Sequence, residues 1–203
     1  METARIADLL RPFAQLTDNQ LHSTSTYIDL LMKWNARVNL TAIRDPEEIV
    51  TRHFGESYFV AQNFVNEEWS ESVIDFGSGA GFPGIPIAIL RPKAAVTLVE
   101  SNGKKAAFLA EVRGQLGLKN VELFRGRGET MVKQADLVVM RAVEDFEQVL
   151  GVAAGLVHAE GRLGLLIGKS QHERATELLP SLSWIEPVPI PHSDSRILLV
   201  GKL

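Results

Sequence analysis

Residues 73–86, VIDFGSGAGFPGIP, carry the groups with the most definite chemistry in this chain. An apolar run, Val73 and Ile74, meets an acid, Asp75, and then a ladder of glycines at Gly77, Gly79, Gly81 and Gly84. Glycine serves where a backbone takes positive φ or lies close against a ligand. Pro83 stands where a helix can begin, because its missing N–H would be unpaired in the first turn anyway. The stretch reads as a buried strand, a tight turn and a helix N-terminus, the architecture of a nucleotide- or nucleoside-binding loop. Gly79, Gly81 and Gly84 fit the GxGxxG spacing of a dinucleotide site. A second acid, Glu100, ends the next apolar run, VTLVE. A carboxylate there accepts hydrogen bonds from both hydroxyls of a ribose, which suits an adenosyl cofactor or NAD equally.

Ligands of open α/β sheets bind beyond the carboxyl ends of the strands. On this reading the first strand contributes Asp75 and the glycine turn there, and the second Glu100, Ser101 and Asn102. The third contributes Arg125, Arg127 and Glu129, the fourth Arg141 and the fifth Lys169. Lys104, Lys105 and Arg113 lie on the helix after the second strand. Two acids deep in the site are thus ringed by bases. Arg141 directly follows the buried run DLVVM, so a solvated-surface account suits it least. A basic ring beside a cleft suits a phosphate-bearing substrate, and arginine grips phosphate at two points. Of the five histidines, His53 is the candidate for a functional role. No His, Asp or Glu cluster has ligand spacing, so no metal is expected.

The elements that must position these groups can be read from periodicity. Helices are expected over residues 2–16, 18–35 and 46–65, the last capped by Asp45 with Pro46 and Glu48 in a capping-box arrangement. Tyr27, Leu31, Trp34 and Val38 form a stripe that packs on the main domain. From residue 72 strands and helices alternate. Strands are expected at 72–76, 96–100, 121–125, 136–141 and 161–168, with helices at 83–91, 103–117, 145–156 and 171–179. Apolar strands of this kind belong to a parallel sheet covered on both faces. At the end, 183–191 and 196–203 leave no room for a helix and form an antiparallel hairpin. The expected division is an N-terminal helical extension, 1–66, and a catalytic domain, 67–203.

The whole chain bounds the function. It has 203 residues, 45% hydrophobic, and no cysteine, which excludes disulfides and a cysteine nucleophile. No run approaches the ~18 apolar residues of a membrane span, and the first residues lack the long apolar stretch of a signal peptide. A cytoplasmic monomer that does not engage membranes is expected. The net charge of −4 argues against a broadly basic nucleic-acid coat and leaves room for a local basic patch.

An acid on the strand, one residue, then Gly-x-Gly-x-Gly resembles motif I of class I S-adenosylmethionine-dependent methyltransferases. In those enzymes the strand acid helps hold the methionine end of the cofactor. Five α/β units closed by a hairpin resemble their Rossmann-like sheet, mostly parallel and seven-stranded. From about residue 20 onward the chain is more specifically similar to the RsmG (GidB) family of bacterial 16S ribosomal RNA methyltransferases. The similarity rests on NLTAI at 39–43, RHF with Ser57, DFGSGAGFPGIP at 75–86 and ESxxKKxxFL at 100–109. GRGE at 126–129, RAV at 141–143 and Lys169 continue it.

The resemblance implies S-adenosylmethionine as cofactor, and N7 of one guanine of 16S rRNA in the small ribosomal subunit as target. It implies cofactor contacts at Asp75, Gly77, Gly79, Gly81, Phe82 and Glu100, with Gly128 and Glu129 against the adenine. Arg141 would close the methionine end or guard the target base and, with Lys169, count as catalytic. Asn39, Arg44, His53, Lys104, Arg127 and Lys169 would face RNA. The N7 atom has an in-plane lone pair and no proton, so transfer to it needs orientation rather than a general base. Three other readings stay open from the residues: a methyltransferase-fold RNA-binding or assembly factor, an NAD-dependent oxidoreductase, and a ribose 2′-O-methyltransferase in which Lys169 activates the hydroxyl.

Overall fold

The computed structural model describes residues 1–65, 71–143 and 145–203. The expected boundary at 66/67 therefore lies outside the described residues. The chain opens with α1 (Thr3–Leu10) and α2 (Asp18–Asn35). The first helix is shorter than the expected 2–16 because Pro12 has no N–H to continue the ladder. At the start of α2, Thr17 and Gln20 form a full capping box. At α3 (Pro46–Glu48) only half of one forms: Asp45 accepts from the Glu48 N–H at 2.8 Å, while the Glu48 carboxylate turns to Arg52 at 3.4 Å. The expected single helix over 46–65 is interrupted. Between α3 and α4 (Glu56–Phe64), Ile49–Gly55 is a π-helix. The Glu56 N–H reaches back to the Thr51 carbonyl, five residues away.

The alternating part follows as β1 (Ser72–Phe76), α5 (Gly84–Leu90), β2 (Ala95–Val99), α6 (Gly103–Gln115), β3 (Val121–Phe124) and β4 (Ala135–Arg141). Then come α7 (Phe146–Gly155), β5 (Val157–Gly168), α8 (His172–Leu178), β6 (Ser183–Trp184), β7 (Val188–Pro189) and β8 (Arg196–Lys202). The sheet order is β3-β2-β1-β4-β5-β8-β6, with β7 also on β8. Strands β1 to β5 are parallel, and β8 runs antiparallel between β5 and the edge. The expected hairpin is there, but its outer arm is broken. Pro187 lacks the N–H that would carry the ladder from β6 into β7, so eight strands fill seven positions.

Alternation along the strands divides the core in two. Val73, Leu98, Val139 and Leu198 face one side, together with α1, α2, α5 and the π-helix through Ile6, Tyr27, Phe54 and Ile87. Ile74, Val99, Val138 and Leu165 face the other, under α7 and α8 through Leu150 and Ala175. The expected stripe on α2 does pack: Tyr27 and Leu31 are fully buried, and the Trp34 indole N–H donates to Glu111 at 3.1 Å.

The strand acid builds the turn above it. Asp75 is completely buried, and its Oδ2 accepts the Gly84 N–H at 3.0 Å, tying β1 to the first turn of α5. A Cβ at Gly84 would stand 2.6 Å from that same oxygen and collide with Leu98. Gly84→Ala is expected to cost about 1–3 kcal/mol by overpacking. Urea unfolding should show a lower midpoint at unchanged slope, and an unchanged midpoint would contradict the close approach.

Candidate functional site

The glycine turn sits at the carboxyl edge of the sheet, between β1 and α5. Gly77, Gly79 and Gly81 take φ of +71°, +57° and +92°. The Ser78 N–H donates to the Val99 carbonyl at 2.9 Å, which stitches the turn to the neighbouring strand. Nothing stands over Gly79: a Cβ there would find only the Gly77 carbonyl, at 3.8 Å. The turn floors a cleft of about 560 Å³.

Glu100 forms one wall of that cleft. Its Oε2 accepts the Gly79 N–H at 2.9 Å and its Oε1 the Asn102 N–H at 2.6 Å. Asn102 in turn caps α6 by accepting from Lys104 and Lys105. Each carboxylate oxygen keeps a second lone pair for a ligand. Asp75 lies below the floor and is not part of the cleft wall. Burial pushes its carboxyl up to about 7, against the Gly84 hydrogen bond that pulls the other way.

The opposite wall comes from the N-terminal region. Leu40, Thr41 and His53 line the cleft with Arg141, Ala142 and Val143. Phe82, from the glycine turn, is sandwiched between Tyr27 of α2 (centroids 5.3 Å, 9°) and His53 of the π-helix (4.9 Å, 20°). The Tyr27 hydroxyl donates to the Ala80 carbonyl within the turn. Asn35 shapes the connection to Thr41: its Oδ1 accepts from the Leu40 and Thr41 amides, and its Nδ2 donates to the Thr41 carbonyl.

Arg141, at the end of β4, turns toward the π-helix. Its Nε donates to Glu56 at 3.1 Å, its Nη1 to His53 Nδ1 at 2.9 Å and its Nη2 to the Arg52 carbonyl at 2.8 Å. Since arginine only donates, His53 Nδ1 is the acceptor, and its Nε2–H donates to Thr41 Oγ1 at 2.7 Å. Burial, then the neighbouring Arg141, lowers the imidazole from its ordinary 6.5 to about 3. It is neutral at physiological pH.

Of the residues singled out from sequence, Gly77, Gly79, Phe82, Glu100, Ser101, Asn102, His53 and Arg141 meet in this cleft. Gly81 lies in the same turn, packed beside Tyr27. Gly128 packs on Phe76, and Glu129 pairs with Arg127 at 3.2 Å, both outside the cleft wall. Lys104, Arg127 and Lys169 are exposed and also stand outside it. Arg44 donates to the Asn35 carbonyl and to Asn39, on the outer side of the 36–44 connection. Sequence reasoning missed Leu40, Thr41 and Glu56, and placed Lys105 only on a helix. For Glu56 the available signal was its spacing, four residues after Arg52.

Residues 20–187 match the family model described as rRNA small subunit methyltransferase G, GidB. The chain belongs to this family. Ribosomal RNA small subunit methyltransferase G of Xylella fastidiosa is 41% identical over 178 residues, 86% of this chain and 82% of that protein. Its counterpart in Roseiflexus is 39% identical over 199 residues, 92% of this chain and 84% of that protein. Among solved structures, a SAM-dependent methyltransferase from Aquifex aeolicus superposes with a TM-score of 0.65 at 15% identity, covering 80% of this chain and 96% of that one. M. jannaschii TYW2 in complex with AdoMet gives 0.59 at 20% identity, covering 74% of each chain. The fold is the class I methyltransferase fold, α/β and Rossmann-like, as the strand order requires. Within this GidB-family chain, among the described residues, no group of three or more His, Asp or Glu could hold a metal, and no helix is long and apolar enough to cross a membrane.

A group whose native pKa lies below its unfolded value supports the fold above the unfolded pKa and loses that support as pH falls. His53 is such a group. His53→Gln, which does not titrate, should show its full deficit in Tm at about pH 7.5 and a smaller one near about pH 4.5. A deficit independent of pH would mean that His53 is not held neutral.

Proposed function

We propose that this chain transfers the methyl group of S-adenosylmethionine to N7 of a guanine in 16S rRNA. The residues present fit the cofactor. The open backbone at Gly79 admits close approach, and Glu100 keeps acceptor capacity for a ribose beside it. The bound cofactor supplies an electrophilic methyl on a sulfonium.

The observation that carries the choice of atom is the state of His53. Both its nitrogens are engaged, one accepting from Arg141 and the other donating to Thr41, and the ring resists protonation down to about pH 3. The histidine that lines the cleft therefore has no lone pair with which to take a proton. A hydroxyl or amino acceptor would have to lose one, whereas guanine N7 presents a lone pair and has none to lose. What the chain contributes is orientation, worth several kcal/mol when reacting atoms are held in line. Glu100 and the glycine turn hold one reactant; the His53 and Arg141 wall faces the other. The exposed bases Lys104, Arg125, Arg127 and Lys169, with Arg44 and Asn39 on the N-terminal side, are suited to phosphates of the RNA.

Two measurements test this. Labelled S-adenosylmethionine should place label on 16S rRNA or on 30S particles from cells lacking the protein, in a single 7-methylguanosine by mass. Label on another nucleoside overturns the N7 reading. Tight S-adenosylhomocysteine binding with no transfer would favour an assembly factor, and NAD binding in its place an oxidoreductase. Gly79→Asn should fold, because asparagine tolerates φ near +57°. With its side chain over the floor of the cleft, it should abolish S-adenosylhomocysteine binding in calorimetry. Undiminished affinity would place the cofactor elsewhere.

A further inference from the structure

Glu56 gathers more charge than a structural ion pair needs. It is only 2% exposed, yet three arginines converge on it. Arg141 Nε approaches Oε2 at 3.1 Å, while Arg196 Nε at the start of β8 lies 3.0 Å from Oε1 and Arg52 Nε 3.5 Å from it. Of the three, Arg141 is nearly buried at 8% exposure and is the one that lines the cleft. Arg52 is half-exposed and shares Glu48, so the buried imbalance is one carboxylate, Glu56, against the guanidiniums of Arg141 and Arg196. Stability alone does not favour that arrangement, since apolar replacement of buried ion pairs is often neutral or stabilising.

The backbone around Glu56 is equally unusual. The π-helix over Ile49–Gly55 puts one extra residue in the turn, and π-turns of this kind concentrate at functional sites. Here it lets three successive features of one segment reach the same guanidinium: the Arg52 carbonyl, the His53 ring and the Glu56 carboxylate. All three nitrogens of Arg141 are thereby held. Through its Nη1, that arginine also sets the orientation of His53, whose ring lies flat on Phe82 of the glycine turn.

We infer that Glu56 is a positioning residue for methyl transfer, acting through Arg141 and His53 to hold the wall of the cleft that faces the methyl acceptor. The inference rests on the methyltransferase reading. Without the carboxylate, Arg52, Arg141 and Arg196 repel one another, Arg141 leaves the π-helix, and His53 loses both its donor at Nδ1 and its fixed ring plane.

The test uses the full-length chain with Glu56→Gln and Glu56→Asp. In Glu56→Gln, turnover at saturating RNA and S-adenosylmethionine should fall by about a hundredfold, the scale on which small displacements act. Affinity for S-adenosylhomocysteine should change by less than about threefold, because Gly79 and Glu100 are untouched. Proton-detected NMR should show His53 titrating well above its native value of about 3, and the Arg141 Nε–H resonance losing its protection. Glu56→Asp keeps the charge but withdraws it by one methylene, and should lie between wild type and Gln in both turnover and His53 titration. A merely structural role predicts something else: turnover lost only in proportion to the unfolded fraction, with His53 unmoved. That result in either variant overturns the proposal, as does wild-type turnover in Glu56→Gln. Should Glu56→Gln fail to fold, the same readouts on Glu56→Asp decide. If the wild type itself transfers no methyl, the functional reading fails, while the NMR arms still report whether Glu56 positions Arg141 and His53.

Discussion

The site depends on one sandwich of rings. Phe82 lies between Tyr27 and His53 in near-parallel stacking, and Phe54 closes the cluster edge-on to both Phe82 and Tyr27. Each such pair contributes about 0.5–1.5 kcal/mol beyond the area it buries. The larger consequence is geometric. A turn with three glycines at positive φ is costly to order, because glycine gives up the most freedom, and its own hydrogen bonds through Ser78 meet only part of that cost. The rings, with the Tyr27 hydroxyl on the Ala80 carbonyl, add order from outside the turn to that supplied by Val99 and Glu100. The N-terminal helices therefore complete the cleft above the glycine turn as well as covering one face of the sheet.

The same contacts decide the electrostatics. His53 is buried against Phe82, and burial is the leading cause of its lowered pKa. Once neutral, it can accept from Arg141, and that acceptance directs the guanidinium back onto the π-helix. The positive charge at the cleft is thus held on the wall, oriented by Glu56, the Arg52 carbonyl and His53 together. A cleft of this kind suits chemistry that asks for alignment and not for proton transfer.

Glu100 plays the corresponding part on the other wall. By accepting from Gly79 and Asn102 at once, it ties the glycine turn to the cap of α6. The two walls meet across the turn, and both are anchored in the helical layer on one face of the sheet, where α6 packs against α2 through Phe108. Asp75, buried beneath the turn, holds the first turn of α5.

The glycine turn, Glu100, the succession of strands up to β5 and the final hairpin were all legible in the sequence. They are encoded locally, in glycine spacing, in apolar runs and in turn residues, where neighbours along the chain set the conformation. What the sequence could not display is which distant segments share a surface. Nothing local marks Ile49–Gly55 as a π-helix: its β-branched residues and Gly55 weaken an α-helix without specifying a wider turn, and Arg141, 88 positions away from His53, is what engages the segment. Glu56 reads as one more surface acid at helical spacing until β4 and β8 bring Arg141 and Arg196 to it. Tyr27 reads as core, and is core, but its hydroxyl lands on the glycine turn only because α2 crosses that edge of the sheet. Sequence by itself determined the fold class and the floor of the site. Tertiary structure decided its walls and its charge state, because burial and long-range hydrogen bonds exist only once the layers are packed.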